Sequence, residues 1–311
     1  MMLAFVFPGQ GSQAVGMGRG FYDASAVAKS LYGEASEVLG FDLAKLSFEG
    51  PEAELQLTAN TQPAILTASM AAATVLAERG LAPKIVAGHS LGEYSALVVA
   101  GALPFADAVR VVRRRGELMQ EAVPVGTGAM AALLGVELAV VEQICRDAAQ
   151  GEVVSVANVN SPAQIAIAGH KAAVERALVL ARERGGKKSV LLPVSAPFHS
   201  PLMRPAADRL AVELGKVSVS APKIPVVRNV DAGLTTSADE VVPFLIRQVA
   251  SPVRWTECVG RMVREGARTF VEVGPGRVLT GLLKRITEGA RGFAVEDPES
   301  LEKVMKELEK N

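Results

Sequence analysis

The sequence predicts an α/β fold built on a mainly parallel sheet covered by helices. Short apolar runs rich in β-branched residues alternate with longer helical patterns, which is the order expected when helices connect neighbouring parallel strands. A chain of 311 residues is long enough to bury a substantial core around such a sheet. The runs that predict its strands are residues 3–7, 85–87, 224–230 and 269–273.

A different pattern lies between Gly126 and Pro193 and predicts a small inserted domain. It has four short strand patterns and two helical patterns in the order β-α-β-β-α-β, which is typical of a ferredoxin-like unit. The predicted strands are residues 129–134, 153–157, 164–168 and 189–192, with helices at 136–149 and 170–184. We therefore expect an insert at 126–193 within a large domain formed by 1–125 and 194–311.

Composition excludes several classes of function. The chain has 33 basic and 33 acidic side chains and is 49% hydrophobic, so neither disorder nor nucleic-acid binding is expected. Cys145 and Cys258 lack partners at metal-ligand spacing, which predicts no metal site and a reducing compartment. Residues 1–8 predict a first strand and not a signal peptide, and residues 59–77 are too polar for a membrane span. We expect a cytoplasmic protein in which the latter segment forms a core helix starting near Pro63.

The turn Gly88-His89-Ser90-Leu91-Gly92 is the strongest local indication of chemistry. It follows the predicted strand at 85–87 and precedes a helical pattern, which is the strand-turn-helix context of a nucleophile elbow. Two glycines permit a strained turn that lifts the Ser90 hydroxyl to the N-terminus of the helix. The five-residue pattern alone is also compatible with an ordinary connection.

A serine nucleophile needs a base, and the chain has three histidines. His89 adjoins Ser90 and should point elsewhere, whereas His170 ends a predicted strand of the insert. His199 is the better candidate, because it lies in a loop after an apolar strand, although a loop histidine without a role remains an alternative. An acidic third member is not evident, and the possible ones are Asp208 and Asp231.

The glycine loop after the first strand, residues 9–14, formally matches the dinucleotide-binding pattern G-x-G-x-x-G/A. Further glycines interrupt the helix that should follow, and residues 25–39 predict a helix where a second strand is required. A nucleotide site is therefore not favoured. Exposed N–H groups in this loop could instead stabilise an oxyanion.

Arg115 occupies the apolar face of a helix predicted at 105–122. The residues three, four and seven positions away are apolar, whereas the same offsets from Arg114 include four charged residues. A buried guanidinium needs an anion, and a bidentate substrate carboxylate fits its planar fork. An internal salt bridge or a side chain that reaches solvent is the alternative.

Together these motifs closely resemble the malonyl-CoA:acyl carrier protein transacylases of bacterial fatty acid synthesis and the related acyltransferase domains of polyketide synthases. The resemblance spans essentially the whole chain. It is carried by Phe7-Pro8-Gly9-Gln10-Gly11-Ser12-Gln13, Thr61-Gln62-Pro63, Gly88-His89-Ser90-Leu91-Gly92-Glu93, Arg115 with Met119-Gln120, Asn160-Ser161-Pro162, Phe198-His199, Arg247-Gln248 and Glu272-Val273-Gly274-Pro275-Gly276.

The resemblance implies an α/β-hydrolase-like large domain with the ferredoxin-like insert. It also implies a role for each of several site residues. Ser90 would attack malonyl-CoA with His199 as the general base, and Arg115 would bind the malonyl carboxylate. Backbone N–H groups of Gln10 and Leu91 would form the oxyanion hole.

Four further positions follow from the same resemblance. The main-chain carbonyl of Gln248 would orient His199, which would explain the missing acidic residue. Phe198 would crowd a methylmalonyl branch, and Asn160 would lie at the pocket. Arg228 stands where an uncharged polar residue is expected, and it has no assigned role.

The expected donor is malonyl-CoA, and the acceptor is the phosphopantetheine thiol of acyl carrier protein, without a bound cofactor, metal, nucleic acid or membrane. The expected state is a monomer. A basic patch for the acidic carrier would comprise Arg182, Arg184, Lys187 and Lys188, although a solvated helix end fits equally well. The alternatives are a serine esterase or thioesterase on the same elbow, a polyketide-pathway acyltransferase, or a silent acyl-binding protein.

Overall fold

The computed structural model describes residues 2–186, 188–194 and 196–309. The strands along these residues are β1 (Met2–Phe7), β2 (Ile85–Gly88), β3 (Gly128–Leu134), β4 (Val154–Ser161), β5 (Gln164–His170), β6 (Val190–Leu191), β7 (Val226–Val227), β8 (Leu234–Thr235), β9 (Ala267–Val273) and β10 (Arg291–Val295).

The helices in the same ranges are α1 (Arg19–Ala24), α2 (Ala26–Leu39), α3 (Leu43–Glu49), α4 (Glu52–Gln56), α5 (Thr58–Glu78), α6 (Gly92–Val99), α7 (Phe105–Glu121), α8 (Leu138–Ala149), α9 (Lys171–Glu183), α10 (Arg204–Leu214), α11 (Ala238–Val249), α12 (Trp255–Arg264), α13 (Val278–Ile286) and α14 (Pro298–Glu309). A short 3₁₀ helix, Pro201–Met203, precedes α10. In the described ranges, no helix is both long and apolar enough to cross a membrane.

The larger sheet has the strand order β10-β9-β1-β2-β7-β8. Its first five strands run parallel, and β8 pairs antiparallel with β7. The prediction of a mainly parallel sheet is confirmed. Because the carboxyl ends of parallel strands meet at one edge, the loops after β1, β2 and β7 come together there.

The central strand β1 shows why the sheet is helix-covered on both faces. Successive side chains of a strand point to opposite faces. Phe5 and Phe7 pack in the largest core cluster, which also contains buried residues of α5 and α7. Ala4 and Val6 pack on the other face with Trp255 of α12. Both faces are therefore buried, as the uninterrupted apolar run predicts.

The smaller sheet is antiparallel and has the strand order β4-β5-β3-β6. Its helices α8 and α9 pack on it around a separate core that includes Leu133, Ile144, Ile167 and Val174. Between residues 128 and 191 the elements follow the predicted order β-α-β-β-α-β.

Some predicted boundaries are wrong. Strand β4, for example, ends at Ser161 and not at residue 157. Helix α5 begins at Thr58 and not near Pro63, because polar side chains of its first turn bond to the preceding helix: Asn60 Nδ2 donates to the Glu54 carbonyl at 2.8 Å, and Thr61 Oγ1 donates to the Leu55 carbonyl at 2.6 Å. Strand β7 covers only two of the residues predicted at 224–230. The chain turns at once into β8, with Arg228 N donating to the carbonyl of Gly233 at 2.9 Å.

Candidate active site

Ser90 lies in the tight turn between β2 and α6. Its φ of 53° is in the left-handed region, which is costly for a residue other than glycine. The flanking glycines permit the turn, because a Cβ at Gly88 would clash with the backbone of Gly92, and a Cβ at Gly92 would clash with the carbonyl of Phe7. The close packing presents the Ser90 hydroxyl at the N-terminus of α6.

His199 and Gln248 complete a hydrogen-bonded relay with the serine. Ser90 Oγ lies 2.7 Å from His199 Nε2, and His199 Nδ1 lies 2.9 Å from the main-chain carbonyl of Gln248. A carbonyl only accepts, so Nδ1 carries the proton and donates to it, which leaves Nε2 free to accept the proton of Ser90. The arrangement can deprotonate Ser90 without a carboxylate beside the imidazole.

Burial keeps His199 neutral. The side chain is buried, and desolvation, followed by the positive charge of Arg115, lowers the pKa of His199 to about 3. The imidazole is therefore unprotonated throughout the neutral range and is available as a base. The same low pKa makes it a weak base until the charge of Arg115 is offset.

Arg115 on α7 has only 2% of its surface exposed. Its Nη1 donates to Gln62 Oε1 at 2.8 Å, and its Nη2 donates to Ser90 Oγ and to Gln248 Oε1, both at 3.0 Å. These acceptors are all neutral, and Nε has no hydrogen-bond partner among the described residues. An internal salt bridge, the alternative considered from the sequence, is not formed with any described Asp or Glu. A buried cation in this setting favours an anionic ligand.

Two residues without a predicted role hold this arrangement together. Asn229, just after β7, accepts from Ser90 N and donates to the Gly88 carbonyl, both at 2.7 Å. Glu93 Oε2 in turn accepts from Asn229 N at 3.0 Å and from Gln248 Nε2 at 2.8 Å. The carboxylate thus connects the elbow to the residue that orients the base.

Glu93 is buried in α6, and desolvation raises its pKa to about 7, although hydrogen bonds from Gln248 and Asn229 oppose the rise. Glu93 is a charged residue in an otherwise apolar helix, much as Arg115 is a charged residue on an apolar helix face. The sequence could therefore have indicated a role for Glu93. Asn229 gives no comparable signal.

A cavity of about 910 Å³ opens onto Ser90, His199 and Arg115. It lies between the two sheets, since Met130 of β3 and Ala166 of β5 also line it. The volume suits an extended organic substrate. Remaining predicted site residues in its lining are Gln10, Leu91, Asn160 and Phe198.

These residues surround the nucleophile in different ways. Leu91 directly follows Ser90 and precedes α6, whereas the N–H groups of Gly92 and Glu93 donate to the carbonyls of His89 and Ser90 at 2.9 Å and 3.1 Å. Gln10 also lines the cavity, and its side-chain Nε2 donates to Thr58 Oγ1 at 3.2 Å. Asn160 Oδ1 lies 2.8 Å from His89 Nε2, so the ring of His89 is engaged away from Ser90.

The two acidic candidates do not reach the base. Asp231 pairs with Arg228 at 3.0 Å, and Asp208 is exposed on α10. The pairing also gives Arg228 a structural explanation: its guanidinium bonds Asp231 and Glu240 and lies 3.8 Å from the centre of the Phe244 ring. These contacts fix the turn that carries Asn229.

The predicted basic patch is exposed but partly paired. Arg182, Arg184 and Lys188 are exposed at the end of α9, while Lys187 lies outside the described residues. Arg184 Nη2 forms an ion pair with Asp147 of α8 at 2.5 Å. In the sequence, the patch ends a few residues before Leu192, which lines the cavity.

Comparison with known proteins identifies the family to which this arrangement belongs. The family model described as acyl transferase domain matches residues 4–306. This chain belongs to the acyl transferase domain family. The acyltransferase is 52% identical over 299 residues to the malonyl CoA-acyl carrier protein transacylase of Escherichia coli strain K12, with 96% of this chain and 97% of the relative covered. It is 47% identical over 307 residues to that of Bacillus subtilis strain 168, with 98% and 97% covered.

Solved structures of similar proteins agree with the acyltransferase over its whole length. An acyl carrier protein S-malonyltransferase from Vibrio cholerae has 53% identity and a TM-score of 0.96, covering 98% of this chain and 100% of that one. A malonyl-transacylase in complex with its type II PKS acyl-carrier protein has 49% identity and a TM-score of 0.96, with 100% of both chains covered. The mixed α/β fold with two sheets is thus the fold of this family.

Proposed function

We propose that this acyltransferase carries malonyl groups from malonyl-CoA to the phosphopantetheine thiol of an acyl carrier protein through a malonyl ester on Ser90. The observation that carries the proposal is that Ser90 Oγ contacts a neutral base, His199, and a buried cation, Arg115, whose described partners are neutral. His199 would accept the proton of Ser90 during ester formation, and Arg115 would bind the carboxylate of the substrate. The similar proteins are malonyl transacylases, which supports the same donor and acceptor here.

Formation of the ester uses groups of the chain alone. Ser90 Oγ attacks the thioester carbonyl carbon while its proton passes to His199 Nε2. The carbonyl electron pair moves to oxygen, where the backbone N–H groups of Gln10 and Leu91 would stabilise it by about 2.7–4 kcal/mol per donor. Collapse of this intermediate breaks the C–S bond, and His199 returns the proton to sulfur, which releases CoA.

Transfer to the carrier reverses these steps. The phosphopantetheine thiol gives its proton to His199, and its sulfur attacks the carbonyl carbon of malonyl-Ser90. The C–O bond breaks, and Ser90 Oγ recovers the proton from His199. The result is ping-pong turnover that supplies malonyl groups for fatty acid elongation.

We assign recognition of the acyl group to two residues of the cavity. The carboxylate would bind Arg115, whose planar fork matches it. Phe198, with 8% of its surface exposed beside the base, would crowd a branch on the α-carbon.

Replacing Arg115 with alanine should abolish the preference for malonyl-CoA over acetyl-CoA. Leaving a buried charge unpaired costs roughly 3–5 kcal/mol, which corresponds to at least about a hundredfold selectivity. The measurement is the ratio of ester-formation rates for the two thioesters. Arg114→Ala is the matched control, because this neighbouring guanidinium pairs with Glu117 at 2.7 Å. A wild-type ratio in Arg115→Ala would refute the assignment.

The competing activity is hydrolysis of the same ester by water. The amounts of free malonate and malonyl-carrier formed from malonyl-Ser90 separate hydrolysis from transfer. If the enzyme is a transferase, malonyl-Ser90 releases free malonate slowly and turns over much faster when acyl carrier protein is added. Rapid release of malonate that carrier protein does not divert would establish a thioesterase instead.

A polyketide-pathway acyltransferase is a second candidate, because one similar structure contains a type II PKS acyl-carrier protein. The carriers of the two pathways compete in one assay, and the preferred acceptor at equal concentrations decides between them.

We propose an α/β-hydrolase-like large domain at 1–125 and 194–311 with a ferredoxin-like insert at 126–193, as the family resemblance implies. Support comes from the smaller sheet. If its strands are numbered along the chain, their spatial order is 2-3-1-4, as expected for two interleaved β-α-β units.

The carrier is proposed to dock at the exposed patch Arg182, Arg184 and Lys188, because acyl carrier proteins are acidic. The double charge reversal of Arg182 and Lys188 to glutamate should raise the KM for carrier protein severalfold and leave the KM for malonyl-CoA unchanged. Reversal of Lys216, which pairs with Glu213 on α10, is the control. Equal effects on both substrates would exclude this surface. The monomeric state and cytoplasmic location stay predictions.

A further inference from the structure

We propose that the substrate carboxylate is a trigger for acylation as well as an anchor: by taking the Nη2 N–H of Arg115 it frees Ser90 Oγ to attack. The proposal rests on the function proposed above and concerns the same site. It predicts that the carboxylate subsite acts on the nucleophile even when the carboxylate is not joined to the thioester.

Ser90 Oγ has two hydrogen-bond partners, His199 and Arg115. A serine hydroxyl has one proton to donate and two lone pairs. The proton faces His199 Nε2 at 2.7 Å, and one lone pair accepts from Arg115 Nη2 at 3.0 Å. A charge-assisted hydrogen bond withdraws electron density from the oxygen that must attack. An acyl group without a carboxylate leaves this bond in place.

The Ser90 hydroxyl is the most easily replaced of the three hydrogen-bond acceptors around Arg115. Gln248 cannot turn its amide oxygen away, because its Nε2 donates to Glu93 Oε2 at 2.8 Å and to the Ser90 carbonyl at 3.0 Å. Gln62 accepts on the other side, at Nη1. Nε is buried without a hydrogen-bond acceptor among the described residues, and the Tyr94 ring lies 5.5 Å from the guanidinium. A carboxylate that binds Arg115 at Nη2 therefore takes this N–H from Ser90 Oγ.

The base is also affected by Arg115. The charge of Arg115 faces His199, and the other titratable groups at the site are Glu93 and Tyr94, which are buried, and His89, which is half-buried. A carboxylate on Arg115 offsets its charge, so the imidazole accepts the proton of Ser90 more readily. The release of Ser90 Oγ and the greater basicity of His199 both accelerate attack. Both stabilise the transition state for acylation more than they strengthen substrate binding.

The test separates the carboxylate from the thioester. Acetyl-CoA and formate together supply the methyl carbon and the carboxylate of a malonyl group as two molecules. Single-turnover release of CoA from acetyl-CoA is measured with wild-type enzyme while sodium formate is titrated against sodium chloride at constant ionic strength. Formate should raise the rate of acetyl-Ser90 formation by about tenfold or more, and it should slow acylation by malonyl-CoA competitively.

The variant Arg115→Met, which keeps an apolar stem of similar length, should show neither effect of formate, whereas Arg114→Ala should show both. The proposal is overturned if formate competes with malonyl-CoA but leaves acetyl transfer unchanged, or if formate affects neither substrate. Both outcomes leave formation of malonyl-Ser90 intact, so they are distinguishable from failure of the proposed function.

Discussion

Replacing Ser90 with alanine should reduce malonyl transfer by at least about a thousandfold. Without Oγ no ester forms, and removal of the nucleophile in serine enzymes that use a histidine base costs this much or more. The loss should appear in the release of CoA from malonyl-CoA, measured with and without acyl carrier protein. Binding of malonyl-CoA should persist, because Arg115 and the cavity remain.

A suitable control for this substitution is Ser95→Ala. Ser95 lies on the same helix, α6, is fully buried, and its Oγ has no described hydrogen-bond partner. This variant should keep most of the activity. If Ser90→Ala transferred malonyl at a wild-type rate, the nucleophile would have to be another residue.

Replacing His199 with alanine should reduce the rate of malonyl transfer by a similar factor, because Ser90 would keep its proton at neutral pH.

His199 should also give the enzyme an unusual pH profile. Burial lowers its pKa to about 3 in the folded protein, so the base loses activity only when pH falls towards that value. We expect His199 to add no acid limb near pH 6.5 to kcat/KM for malonyl-CoA, which reports the free enzyme.

His170→Ala is the matched control, since His170 lies in the smaller sheet, where its Nδ1 accepts from Val153 N at 2.9 Å. Its pH profile should equal that of the wild type. An acid limb centred near 6.5 that is present in the wild type and this control, and that persists in Glu93→Gln, which lacks the buried carboxyl with a pKa of about 7, would show that His199 is solvated. The buried geometry would then not be the active one.

The sequence predicts most of the fold because the strands of a parallel sheet are buried on both faces. Their apolar runs are recognisable without knowledge of tertiary contacts, as β1 and β9 illustrate. The two missed strands, β8 and β10, lack this signal: β8 has two residues, and Arg291 begins β10, most of which is only half-buried. The end of β7 depends on a turn bond from Arg228 to Gly233, which no local pattern encodes.

The site separates into residues with local signals and residues without them. Ser90 has its elbow, and Arg115 breaks an apolar face, so local reasoning finds both. The orientation of His199 by a main-chain carbonyl leaves no side-chain pattern, so Gln248 followed only from the family resemblance. Asn229 acts on Ser90 across 139 positions of the chain, a contact that only the fold creates.

The central claim is that Ser90 carries the malonyl group between its two thiol partners. The most direct test is mass spectrometry of the intact protein and of its peptides after brief mixing with malonyl-CoA in the absence of carrier. We predict one malonyl adduct, located on Ser90, absent from Ser90→Ala, and removed when acyl carrier protein is added. Transfer to carrier without any adduct on Ser90, or an adduct on a different residue, would contradict the account.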